Sequence, residues 1–533
     1  MARSQPFTLA CEGGLVKASN QIDLLRRPGV ATELQNFEVS IEGGYRRISG
    51  FKKLGEGSAT QPTGSADRIL GVLPYADGVI ACASDAIYFS QDGITWMQIN
   101  KLSAGGGDSY ATFTARAATA RTGQGQCSFA IFENSYDYGD VIIADGANQP
   151  FSFRMEGTGA LSTRTFITQE ITVDGTNSVK YVTVHDHHLI AAGVENNEST
   201  VYYSVNNDPD NFAGAGADAI TISDRIVGIR GFREDLFIFC ENSIHKLINI
   251  NDNTTVAIVP VAENVGCLSG YSIQEIGGDL LFLAPDGIRT VAGTARIGDV
   301  ELGTVSKAIQ PILTLVAQNI DDYQITSVVL RDKSQYRLFY SNVNAVATAQ
   351  RGIIGTLRPE GFEWSETKGL EVTALESAFD SSGIEKYYHG SNTGYVYLHD
   401  NGDDFDGTEI LARYETPNLD YGDLGTLKTL HYLRVSMAAE GIVTPEVQVR
   451  FNYNSGDIPQ PTTNYSLGTI NPASFFGSAV FGNNQFGATG VPMIRIPLQG
   501  SGTSNNFTFI TNDNKPAYRI NGLYIDYIPS GRR

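Results

Sequence analysis

Long apolar runs, charge and cysteine are all scarce in this 533-residue chain. No stretch approaches the roughly 20 apolar residues of a membrane-spanning helix, so no membrane insertion is expected. Charged residues make up 18%, below the usual quarter, which argues against a coiled coil. Basic residues are the scarcer sign: 38 Lys+Arg stand against 58 Asp+Glu, a formal net charge of −20. That is the wrong sign for gripping DNA, RNA or anionic lipid through phosphate contacts. It suits a soluble particle, or a surface along which a polyanion passes without sticking. The five cysteines, Cys11, Cys82, Cys127, Cys240 and Cys267, are odd in number and far apart, with no CxxC. They read as reduced, mostly buried thiols in a protein that folds in the cytoplasm. Met1 to Leu15 holds one Arg and no apolar run of signal-peptide length. Catalytic signatures are missing as well: no GxGxxG after a strand, no Walker loop, no HExxH and no GxSxG. No spacing of Ser, His and Asp suggests a triad. The expectation is a structural protein, not an enzyme, with no catalytic, cofactor-binding or metal residue assigned and no cofactor.

What the sequence has in quantity is period two. Ile69–Tyr75, Val79–Ala83, Ala86–Phe89 and Trp96–Ile99 read as four short strands, with turns at Asp77-Gly78 and Asp92-Gly93 where Gly fills a positive-φ position cheaply. The cadence returns from Ser128 to Phe153, Tyr181 to Ser204, Ile226 to Leu247, Ser272 to Val291, Gln335 to Trp364 and Lys386 to Leu398. Sheet units repeating every ~40–50 residues predict an all-β fold with a β-propeller of about six or seven blades. An open double sandwich is the alternative. One helix stands out, Lys307 to Asn319, with Ser306 as its cap and Ile309, Ile312, Leu313 and Val316 on one face.

Two regions fall outside the repeat. Residues 1–65 form a polar lead-in, an N-terminal strap carrying Arg26-Arg27 and Arg46-Arg47; 66–407 hold the propeller. Residues 408–533 alternate as half-buried antiparallel strands do, at Tyr432–Ser436, Glu446–Tyr453, Met493–Leu498 and Tyr524–Tyr527, and predict a C-terminal β-sandwich. Within it, Pro472 to Val491 carries Phe475, Phe476, Phe481 and Phe486 without a strand pattern: a candidate contact arm, or a loop folded back on the sandwich.

Three constellations invite chemistry. Ser90-Gln-Asp-Gly-Ile-Thr-Trp96 looks like an Asp-box turn shortened by one residue, in which Asp bonds the turn backbone and Trp packs beneath it; its role is structural. A sialidase would further need three arginines, a Tyr nucleophile and a carboxylate base, a set that cannot be assembled here. His185-Asp-His-His188 offers imidazoles and a carboxylate, but stands between two strands and reads as a solvated turn. Asp400 to Gly407 crowds Asp403, Asp404 and Asp406 before a glycine, as calcium loops do, without the closing Glu; a solvated linker is the simpler reading.

Gly13-Gly-Leu-Val16, Asn36-Phe-Glu-Val39, Gly43-Gly44, Arg47 and Gly50 resemble the opening of tailed-phage tail nozzle proteins, including the packaged-DNA stabilisation proteins of short-tailed phages. His188–Gly193 with Val201–Ser204 and Asp208–Phe212 resembles one of their blades; so does Gly270–Ile273 with Leu281–Leu283 and Asp286–Arg289. Leu419–Gly422, Lys428, Leu433–Val435, Ile525–Tyr527 and Gly531–Arg533 are similar to their sandwich and its end. The resemblance implies a virion structural protein: a homo-oligomer, commonly a hexameric ring, below the portal and adaptor. Such a ring extends the portal channel, retains packaged genomic DNA and opens for its ejection. The implied location is the virion tail, after assembly in the host cytoplasm. Two other readings are a tail or baseplate component binding host-surface glycans, motivated by 25 Tyr and the aromatic loop, and a propeller glycosidase.

Overall fold

A strand packed on both faces reads as an unbroken apolar run, whereas one with a wet face alternates. The segments Gly78–Ala83, Asp140–Ala144, His188–Val194, Asp235–Cys240 and Asp279–Ala284 are buried almost end to end. Each is the second strand of a small antiparallel sheet clamped between two neighbouring sheets. The computed structural model of the chain describes residues 4–84, 86–252, 254–292, 304–342, 349–379, 383–456, 460–470, 473–474, 485–486 and 493–532.

The fold is an all-β propeller with an additional β domain. Six blades are self-contained sheets. Blade 1 runs from Ile69–Tyr75 to Met97–Gln98, blade 2 from Ser128–Phe132 to Thr165–Glu170, and blade 3 from Val179–His185 to Asp218–Thr221. Blade 4 runs from Ile226–Phe232 to Ala257–Glu263, and blade 5 has the three strands Gln274–Ile276, Asp279–Ala284 and Gly287–Thr290. In the circle after blade 5 stand Tyr323–Leu330, Gln335–Asn342, Arg351–Arg358 and Gly361–Lys368, the first four strands of a nine-stranded sheet that continues into the second domain. We call this shared station blade 6. Blade 7, the sixth self-contained sheet, holds Ala374–Phe379, Glu385–Gly390 and Val396–His399. Its fourth strand is Phe51–Lys53, which pairs Tyr397 with Lys53 and His399 with Phe51. The inner strand of blade 7 then packs beside that of blade 1, so the ring is closed by residues from the start of the chain, leaving no bare edge there.

The same N-terminal segment builds the second domain. Gln5–Ala10 pairs with Tyr518–Arg532, and so does Tyr45–Arg47, the second strand of a hairpin with Phe37–Val39. Tyr518–Arg532 also pairs along Thr426–Ala439. These strands make one sheet of a sandwich. The other sheet begins at blade 6: Glu33–Gln35 lies parallel to Gly361–Lys368 and antiparallel to Ile410–Glu415, followed by Asn505–Asp513 and Glu446–Phe451. The inward residues of Glu446–Phe451 are Val447, Val449 and Phe451, all buried. Between the sheets, Tyr45 meets Tyr414 edge-on at 4.9 Å, and Tyr414 stacks on Phe509 at 5.6 Å. Residues 1–65, the N-terminal strap of the sequence reading, supply strands to the sandwich, the sandwich–propeller seam and blade 7.

Local details depart from expectation at three places. At the Asp77-Gly78 turn the positive φ falls on Ala76 (54°), not on Gly78. Gly78 is needed for space instead: a Cβ there would come within 2.3 Å of the Ser90 carbonyl. The expected helix comprises a 3₁₀ turn, Lys307–Ile309, and an α-helix, Gln310–Gln318, with Ile309, Leu313 and Val316 buried. Ser306 does not cap it; its Oγ accepts the Ile288 N–H at 2.9 Å, tying the helix to blade 5. Most of the aromatic segment Pro472 to Val491 lies outside the described residues.

Candidate functional site

The constellations singled out in the sequence resolve into scaffold. In Ser90–Trp96, the Ser90 Oγ accepts the Gly93 N–H at 2.9 Å, and Asp92 Oδ1 accepts those of Ile94 (2.8 Å) and Thr95 (3.0 Å). These bonds hold the Asp92 carboxyl below its ordinary range. Trp96 is only half-buried; it packs against the apolar cluster that includes Val72, Val79 and Ala81, and its Nε1 donates to the Thr60 carbonyl at 3.1 Å. Its ring is therefore supported by the blade 1 cluster, and its indole N–H by the N-terminal segment.

At His185–His188 a two-residue hairpin turn puts Asp186 and His187 at positive φ. His188 is not solvated but buried, with Nδ1 against the Ser204 carbonyl (2.6 Å) and Nε2 against Asn251 Oδ1 (3.0 Å). Both ring nitrogens are occupied, so the three imidazoles do not converge. The Asp400–Gly407 loop is a clasp rather than a linker. Phe405 stacks on Phe51 at 5.2 Å, Asp404 Oδ1 accepts the Gly407 N–H at 2.7 Å, and Asp406 pairs with Lys53 at 2.8 Å. A Cβ on Gly50 would strike the Asp404 carbonyl at 1.7 Å. Among the described residues no group of three or more His, Cys, Asp or Glu could hold a metal ion.

Sequence reasoning missed a buried ionic cluster where the N-terminal segment, blade 6 and blade 7 meet. Glu38 is 2% exposed. Its carboxylate accepts from Arg46 (2.8 Å), Arg337 (2.9 Å) and Lys333 (3.1 Å). Asp400 takes the remaining reach of Lys333 (2.7 Å) and Arg337 (3.0 Å). The three cations hold both carboxyls below their usual range against the burial that opposes it. Arg337 Nη1 also donates to His399 Nε2 at 3.0 Å. Beside His399, His389 is fully buried, stacked on Tyr397 at 5.0 Å and edge-on to Phe51 at 4.9 Å. Burial lowers the His389 pKa to about 3. Nearby, Arg47 is 1% exposed and bonds Asp513 Oδ1 (2.6 Å) and the Lys515 carbonyl (2.9 Å). No local motif encodes this cluster, since Glu38 with Arg46, Lys333 with Arg337, and His399 with Asp400 come from three separate segments of the chain.

The propeller axis is almost filled. The void along it is about 120 Å³ and is lined by inner-strand residues of all seven blades. Side chains stitch its walls: Tyr271 Oη donates to the Gln126 carbonyl (2.6 Å), Gln126 Nε2 to that of Ile325 (2.8 Å), and Gln274 Nε2 to that of Ser327 (3.0 Å). A nucleic acid cannot thread this axis. At the end where the inner strands begin, the axis widens into an open cleft of about 520 Å³. Lys180, Tyr181, Glu198, Arg225, Glu241 and Asp321 are among its lining. Arg225 bridges Glu198 (2.6 Å) and Glu241 (3.2 Å).

No family model matches the sequence, and neither does any curated protein. Solved structures give distant matches. The exo-β-1,3-galactanase of Phanerochaete chrysosporium aligns over 90% of this chain and 100% of its own, at 10% identity and TM-score 0.25. A family 43 arabinoxylan arabinofuranohydrolase of Bacillus subtilis aligns over 90% and 99%, at 12% and 0.25. The N-terminal domain of Nup159 aligns over 51% and 88%, at 13% and 0.31. Similarity this distant carries no inference about activity.

Proposed function

We propose that this chain is a virion structural protein, a tail nozzle or connector. It assembles as a ring, commonly of six copies, that extends the portal channel, retains packaged DNA and opens for ejection. It is a wall component rather than an enzyme. Its partners in this reading are further copies of itself, the portal or adaptor, other tail proteins, and the genomic DNA in the lumen; its place is the virion tail, after assembly in the host cytoplasm.

The observation that carries the reading is what the phage-like N-terminal residues do. Gly14 approaches the Trp364 backbone so closely that a Cβ would stand 2.7 Å from its N and O. Asn36 bonds the Lys368 and Leu411 carbonyls at 2.9 Å, Glu38 centres the ionic cluster, and Arg47 locks onto Asp513. Asn36 thus ties blade 6 to the sandwich strand Ile410–Glu415, and Gly14, Glu38 and Arg47 brace the same seam. A body cross-tied in this way transmits load, as the wall of a pressurised channel must. With the propeller axis stitched, a DNA lumen in this reading lies between subunits, not through one. Six acidic chains at −20 each would carry roughly −120, and like charge around a lumen keeps DNA from adhering.

Native mass spectrometry tests the assembly. A closed oligomer near six copies supports the reading; a monomer across a wide concentration range refutes it.

A further inference from the structure

We infer that Cys82 and Cys127 are a peroxide-driven disulfide site that staples blade 1 to blade 2. Cys82 lies in the second strand of blade 1, and Cys127 immediately precedes the first strand of blade 2. Cys82 pairs in register with Gly71. Residues directly opposite in an antiparallel pair turn their side chains to one face, with Cβ atoms about 4.5–5.5 Å apart. Gly71 places no side chain there. A Cβ on it would stand 2.6 Å from the Cβ of Cys127. Cys127 therefore fills, from the next blade, the position beside Cys82 that Gly71 leaves open. Its N–H donates to the Leu70 carbonyl at 2.9 Å, which fixes it there. Both thiols belong to one apolar cluster. Hydrogen bonding to Cys82, then burial, pushes the Cys127 thiol well above its ordinary range. A disulfide needs Cβ atoms about 3.5–4.5 Å apart, and two cysteines sharing one vacant side-chain position are within reach of that.

The other three cysteines are placed differently. The Cys267 N–H donates to the Cys240 carbonyl at 2.9 Å, yet their side chains enter different apolar clusters. Cys267 Sγ turns instead to the Ser269 carbonyl at 3.2 Å. Cys11 Sγ points to the Tyr414 hydroxyl at 3.6 Å, within the sandwich core.

Access selects the oxidant. Cys82 is 0% exposed and Cys127 5%, which keeps alkylating reagents out. Cys127 nevertheless lines the axial void, and Gln126 and Tyr271 line both that void and the open cleft. Hydrogen peroxide, little larger than water, has a path that bulkier reagents lack. One thiol, as thiolate, attacks a peroxide oxygen and becomes a sulfenic acid; its proton leaves with the displaced hydroxide as water. The second thiol attacks that sulfur and expels the oxygen as a second water. Two thiols and one peroxide give one disulfide and two waters: the sulfurs are oxidised and the peroxide is reduced.

The test treats the folded, fully reduced full chain with hydrogen peroxide, quenches with catalase, denatures in iodoacetamide and maps the peptides by mass spectrometry. The expected result is a linked Cys82–Cys127 peptide that dithiothreitol separates, with Cys11 alkylated. The melting temperature should rise by about 2–4 °C, a rise that dithiothreitol reverses and that Cys127→Ala does not show. The wild-type peptide map decides by itself if that variant fails to fold. Alkylation of both thiols after oxidation, a sulfinic acid at either without the link, or linkage of either to a different cysteine overturns the inference. So does a Cys82–Cys127 link that forms only when the chain is oxidised unfolded.

Discussion

Acid should destabilise this protein through a histidine that a phenylalanine can replace. His389 is 0% exposed and sits among Phe51, Tyr397 and His399. Its folded pKa is about 3, against about 6.5 in an unfolded chain. The unfolded state therefore binds the extra proton, and stability is lost as pH falls from about 6.5 towards 3. At pH 7.5 the term is near zero; at pH 5.0 it is about 1.5 pKa units, or about 2 kcal/mol at 1.36 kcal/mol per unit. His389→Phe keeps an aromatic ring for the contacts and removes the titration. Urea unfolding of both proteins at pH 7.5 and 5.0 measures the difference. The variant should gain about 2 kcal/mol on the wild type between the two pH values, whatever its offset at pH 7.5. An offset that does not change with pH would refute the burial argument.

Other perturbations test the seam between the domains. Glu38→Gln leaves Arg46 and Arg337 short of a counter-charge in a buried place and should cost about 3–5 kcal/mol, read as a shift in urea midpoint; loss under 1 kcal/mol would mean that solvent reaches the cluster. Trp364, 1% exposed, should cost about 3–5 kcal/mol when cut to Ala, while the half-buried Trp96 should cost about 1–2 kcal/mol; the reverse order in melting experiments would contradict the seam. All five cysteines are free and buried, and burial pushes Cys11, Cys240 and Cys267 up to about 12, so native thiol labelling should be slow. Rapid labelling of all five in folded protein would contradict this.

The blades were legible because their second strands are apolar from end to end and their turns carry Gly, Asp and Asn. The long sandwich strands showed themselves by alternation. The N-terminal strands did not: Glu33–Gln35, Phe37–Val39, Tyr45–Arg47 and Phe51–Lys53 are three residues each, too short to show a period. Their partners include Arg413, Ile520 and Tyr397, at separations that no local pattern reports. The ionic cluster was hidden for the same reason. Ser306 looked like a cap because only its neighbours in sequence were visible, whereas its bond goes to Ile288. The mouth cleft draws Lys180, Arg225 and Asp321 from three separate stations of the ring, and composition gave no hint that they meet.

In the proposed assembly, copies of this chain surround a channel that none of them contains alone. Cryo-electron microscopy of the purified protein at concentrations favouring assembly tests it most directly. The expected result is closed rings of about six subunits, each propeller axis filled, around a shared lumen wide enough for duplex DNA and poor in Lys and Arg. Isolated monomers at every concentration, or a lumen running through the axis of each propeller, would contradict it.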